Sequence, residues 1–166
     1  MGKLTEYLRE ENVRWQAERP LRESTANEWR SALNELFDDI ANWIQQADSA
    51  GLIQIERDTV RHYERRLGHC ELPRMKVTYE ASEVTFQPRN RFAVGLRIVD
   101  EIGQSRFADG YVSVLCPNPS GHQIFRLIED GASRWYIQPG FGHKHKIEYS
   151  EFTQEAAESL LVGLLK

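Results

Sequence analysis

His143 and His145 stand two residues apart in the run Pro139-Gly140-Phe141-Gly142-His143-Lys144-His145-Lys146, and they are the side chains in this chain best suited to chemistry. Imidazole has an unperturbed pKa of about 6.5, so it exchanges protons near neutrality, and its neutral form ligates metals. If a strand begins at His143, both rings face one side, because successive strand side chains alternate. Acid/base or metal chemistry then needs a third converging group. His122 and Asp109, each on another turn, are the candidates, since Glu148 falls on the strand face opposite His145. Two glycines would let a substrate approach the backbone. Lys144 and Lys146, with Arg134 from the preceding segment, form the corresponding candidate anion-binding set. This is the enzyme reading, a hydrolase-like small-ligand or metal site at residues 139–146. Against it, His145 shares its expected face with Ile147 and Tyr149, as a hydrogen-bonded core histidine would. The reading that follows is no metal and no cofactor.

No other motif assigns chemistry. The sequence contains no nucleophile elbow, phosphate-loop glycine pattern, dinucleotide fingerprint, paired-cysteine zinc spacing or His-Glu-x-x-His helix. Arg89, Arg91, Arg97, Arg106, Arg126 and Arg134 are interleaved with Asp100, Glu101, Asp109, Glu129 and Asp130, which argues against a phosphate-tracking surface. The net charge is −4, and residues 76–149 carry 9 Lys+Arg against 8 Asp+Glu, so charge gives no expectation of nucleic acid. Cys70 and Cys116 are too few for a disulfide framework and read as buried thiols. No run of about 18 apolar residues occurs, so no membrane span is expected, and a cytoplasmic location is.

The elements that must position any site begin with residues 76–149. Apolar residues recur there at every second position: Val77 and Tyr79; Val84 and Phe86; Phe92, Val94, Leu96 and Ile98; Val112, Val114 and Cys116; Phe125 and Leu127; Trp135 and Ile137; His145, Ile147 and Tyr149. Turn residues separate these segments, which predicts an antiparallel meander of about six to eight strands. The alternate positions, among them Thr78, Thr85, Ser113, Arg126 and Arg134, make the other face predominantly wet.

Helices must then cover the apolar face. Leu4, Tyr7, Leu8 and Trp15 predict one over about 4–17, thinned by Glu10 and Glu11 and ended by Pro20. Thr25 followed by Glu28 reads as a capping box opening a second helix over about 25–50, with Gly51 as its stop. Residues 52–75 read as a short strand followed by a short helix carrying Val60, Tyr63 and Leu67, and a closing helix capped by Thr153 occupies 150–166. The expectation is one α+β domain, its N-terminal and C-terminal helices packed on one face of the sheet. Lacking a catalytic motif and carrying more apolar helical surface than one sheet needs, the chain reads as a protein-interaction or regulatory module. Its partner is another protein or a second copy, met through the N-terminal helices as a possible homodimer.

Overall fold

The computed structural model describes residues 2–92, 97–99, 105–117, 121–138 and 149–166. Among the described residues two N-terminal helices, α1 (Lys3–Ala17) and α2 (Arg19–Ala47), precede nine strands and a closing helix α3 (Gln154–Leu164). The strands are β1 (Gln54–Glu64), β2 (Gly68–Tyr79), β3 (Ser82–Pro88), β4 (Arg97–Val99), β5 (Ser105–Phe107), β6 (Tyr111–Leu115), β7 (Gln123–Glu129), β8 (Ala132–Gln138) and β9 (Ser150–Glu151). Seven form one sheet in the order β1-β2-β3-β6-β7-β8-β9, with every neighbouring pair antiparallel. β4 and β5 make a separate hairpin, inserted between β3 and β6. The expected α+β architecture is borne out.

α2 is 29 residues long, or about 43 Å at ~1.5 Å per residue. It starts earlier than the sequence signals suggest. Pro20 occupies its first turn, where a missing N–H costs nothing. Thr25 is no cap but an interior residue whose hydroxyl donates back to the Leu21 carbonyl at 2.8 Å. The helix stops at Asp48, four residues before Leu52, and the Asp48 carboxylate accepts the Leu52 and Ile53 N–H groups at 3.0 and 2.8 Å. Its inner stripe of Ala26, Trp29, Leu33, Leu36, Phe37, Ile40 and Ile44 is buried against Met75, Val77, Val84, Phe86, Val112, Ile124 and Ile137. α3 covers the rest of that face with Ala157, Leu160 and Leu161, and the Thr153 hydroxyl caps it by accepting from the Ala156 N–H.

Two expectations are corrected. Residues 59–67 form no helix; β1 instead pairs with β2 through eleven residues, from Gln54 opposite Thr78 to Glu64 opposite Gly68. The spacing of Val60, Tyr63 and Leu67 fits a helix, but a full-length antiparallel partner outweighs that local pattern. Arg74 clamps Asp58 across the hairpin, and Arg57 reaches Asp38 and Asn34 of α2.

The second correction concerns the wet face. Phe125 and Leu127 point away from the helices and, with Ile98 and Ala108 from the β4–β5 excursion, form a second buried cluster flanked by Tyr111, Tyr136 and Tyr149. Arg126 therefore points toward the helices, where it is 1% exposed. Of the strand expected over 92–98, β4 holds residues 97 and 98; residues 93–96 and 145–148 lie outside those described, and the short β9 begins just after Tyr149.

Gly110 shows how closely helix and sheet approach. Its φ is +125°, and a Cβ there would stand 2.6 Å from the Trp29 ring. Trp29 is wholly buried, stacks on Trp135 with centroids 6.1 Å apart, and donates its Nε1 proton to the Arg89 carbonyl at 3.2 Å. Gly110→Ala is expected to destabilise the protein by about 2–5 kcal/mol, combining backbone strain with overpacking, as read from urea unfolding followed by tryptophan fluorescence.

Candidate functional site: an exposed helical arm

Among the described helices, α1 is the one with no fully buried residue. Leu4, Leu8, Glu11 and Trp15 are spaced four, three and four residues apart and share one face, which Tyr7 flanks. At its C-terminal end that face meets the body, where the Arg22 guanidinium lies 3.5 Å from the centroid of the Trp15 ring. Beyond Glu11 the same face leaves the body: Leu4, Tyr7 and Leu8 are 70%, 57% and 56% exposed. The break from α2 has a local cause. Pro20 cannot donate the helical hydrogen bond to Gln16, so the two helices join at the single residue Glu18. α1 is thus an amphipathic arm with its apolar stripe in water.

Beneath α2 a charge cluster fixes that helix to the sheet. Arg126 donates from Nη1 and Nη2 to the two Glu28 oxygens at 2.7 and 3.3 Å, and from Nε to the Asp109 carbonyl at 2.9 Å. It also stands 4.8 Å from the Trp29 ring centroid. Arg91 reaches the same Glu28 at 3.0 Å. Burial pushes the Glu28 carboxyl upward, but the hydrogen bonds and charges of Arg126 and Arg91 outweigh it and hold the group below the ordinary carboxylate value. Glu64 follows the same logic. Its burial is outweighed by His62 at 3.0 Å and by the Phe92 and Arg91 N–H groups, each at 2.8 Å. These partners engage both carboxylates from within the protein, so the cluster fastens elements together.

The residues singled out by sequence fall as follows. His143, His145, Lys144 and Lys146, with the rest of 139–148, lie outside the described residues. Asp109 belongs to the anchoring cluster, its Oδ2 accepting from the Ile128 N–H at 2.8 Å and its N–H donating to the Arg126 carbonyl at 2.7 Å. His122 sits just before β7, half-buried, and burial lowers its pKa. Asp109 pairs with Arg126, four residues along from His122, so the strand rise sets the two about 13 Å apart and the Asp109 carboxylate reaches still farther off. They do not converge. Arg134 is engaged by Glu129 at 2.9 Å and Glu151 at 3.5 Å. Among the described residues no group of three or more His, Cys, Asp or Glu side chains could hold a metal, and no helix is long and apolar enough to cross a membrane.

No protein-family model, characterised protein or solved structure matches this chain.

The anchor predicts an asymmetry. Glu28→Ala strands a buried guanidinium and should cost about 3–5 kcal/mol in urea unfolding, whereas Arg126→Met leaves a half-exposed carboxylate that regains water and should cost less. Acid should act through the same groups. Because Glu28 and Glu64 have folded-state pKa values below their ordinary 4.5, they contribute stability above that pH and lose it as pH falls through the folded values. Urea unfolding followed by tryptophan fluorescence should show stability falling as pH drops below about 4.5, and Glu64→Gln should make that fall shallower while lowering stability at neutral pH.

Proposed function

We propose that this protein is a non-catalytic interaction module that self-associates by pairing α1 of one copy with α1 of a second. The observation that carries the reading is the exposed stripe of Leu4, Tyr7 and Leu8 on a helix with no fully buried residue. An apolar helical face left in water is a standing gain for any surface that can cover it. A second copy supplies a matching face by two-fold symmetry, since each patch is its own complement. The stripe is short, well under the ~1,200 Å2 that stable interfaces bury, so association is concentration-dependent rather than obligate. Cytoplasmic placement belongs to the same reading and is supported by Cys70 and Cys116, two half-buried thiols in a chain with no disulfide framework.

Sedimentation velocity over a hundredfold concentration range tests it. The native chain should shift from monomer toward dimer. Leu4→Glu/Leu8→Glu should remain monomeric with an unchanged melting temperature, a weakening of roughly a hundredfold if about 3 kcal/mol of burial is lost. Val162→Glu, on an exposed apolar position of α3, should associate like the native chain. A monomer at all concentrations, or a dimer indifferent to the α1 substitutions, would discard the reading.

A further inference from the structure

Between α1, the first turns of α2 and the tip of the β1–β2 hairpin lies a cleft of about 430 Å3. That is within the ~300–1,000 Å3 typical of small-molecule pockets. Arg22 lines it, and its placement is unusual. The residue is 7% exposed, and its Nη1 is buried with no hydrogen-bond partner among the described residues. The Trp15 ring, 3.5 Å from the guanidinium carbon, holds it by a cation–π contact that satisfies charge but gives the Nη1 protons no acceptor. A buried guanidinium donor without an acceptor costs free energy that an anion would return.

The surroundings name the kind of anion. Arg65 and Arg66 reach the cleft from the hairpin tip, both exposed, with Arg66 stacked 3.8 Å from the Phe92 ring centroid. Arg14 comes from α1, already paired with Glu11 at 2.9 Å. Four arginines thus face two glutamates, Glu11 and Glu18, and the excess is positive. A single carboxylate is filled by one guanidinium fork, whereas several forks converging from different elements match a tetrahedral dianion with more acceptor oxygens. We propose that this cleft binds the phosphate of a soluble phosphorylated small molecule, with Arg22 at its base and Arg65 and Arg66 at its rim. The site lies on the body side of Trp15 and does not depend on self-association.

Isothermal titration and thermal shift on the full chain, with inorganic pyrophosphate and ADP as probes and citrate as an anionic control at matched ionic strength, decide the matter. At least one probe should bind saturably, one per chain, and raise the melting temperature, while citrate binds at least tenfold more weakly. Arg22→Gln should weaken the probe at least tenfold. Because a buried substitution can unfold the chain, Arg65→Gln/Arg66→Gln provides the second test: both positions are exposed, so the unliganded melting temperature should stay put while affinity drops at least tenfold. No saturable binding of either probe, citrate binding as tight as the probe, or native affinity in either folded variant overturns the proposal.

Discussion

The pairing of the buried Arg126 with the half-exposed Glu28 is the constraint on which the rest of the structure depends. A guanidinium cannot sit under a helix, essentially shielded from water, unless its N–H groups find acceptors of the right charge and direction. Four groups answer that demand: both oxygens of Glu28, the carbonyl of Asp109 and, at 3.4 Å, the Ser133 hydroxyl. They come from α2, the turn into β6, and β8, so one side chain of β7 ties the helix to that turn and to β8. Neighbouring features follow from that position. Trp29, one residue from Glu28, is pressed onto Gly110, and only a residue without a Cβ can sit there. Arg91 shares Glu28, while its backbone N–H is held by Glu64, which steers the chain out of β3 toward the β4–β5 excursion.

That excursion explains why the sheet has two covered faces over part of its area. Ile98 and Ala108 seal Phe125 and Leu127, and Arg106 fastens the hairpin back by donating to the Ile128 carbonyl at 3.0 Å and pairing with Glu129 at 3.3 Å. Once Phe125 and Leu127 have a cover on that side, period-two alternation obliges Arg126 to face the helices. The two arrangements are therefore one: the second cluster supplies the apolar burial that lets a charged residue occupy the main core face. β1, at the sheet edge, is treated differently. It carries Glu56, Arg57, Asp58 and Arg61, charges of the kind that discourage edge-to-edge pairing.

These points also mark where the fold was legible in the amino-acid order. The meander, the long helix and the Thr153 cap follow from local periodicity and turn chemistry, which the chain writes within a few residues of where they act. Strand polarity at β7 does not, because alternation states which residues share a face but not which face meets the helices. Phe125 and Leu127 look like core-facing residues, and nothing local reveals that a separate hairpin will cover them. Glu28 is the plainer case. Three residues after Thr25 it satisfies a capping pattern, yet its partner is Arg126, 98 residues away, and Thr25 is inside the helix. Of the cleft's residues, Trp15 shows in the amino-acid order only as part of an amphipathic stripe. Arg22 drew no attention, because its significance lies in being buried without an acceptor, a property of the folded chain alone.

The exposed arm follows from the same packing. α2 and α3 together occupy the helix face of the main sheet, and the opposite face over β6 to β8 is taken by the β4–β5 excursion together with Tyr111, Tyr136 and Tyr149. The sheet therefore offers α1 little uncovered apolar surface. Its single seat is the edge at Trp15 and Arg22, and that seat is polar, built from stacked guanidinium and aromatic groups rather than aliphatic packing. Leu4, Tyr7 and Leu8, farther along the arm, are exposed and bury little apolar surface against their own chain. On the reading proposed, their worth lies outside the subunit. The cleft at the arm's base then has a mechanical consequence, because Arg14 and Trp15 belong to the arm while Arg65 and Arg66 belong to the sheet. An anion bridging them would tie the arm to the body, biasing the angle at which it meets a partner without touching the apolar stripe itself.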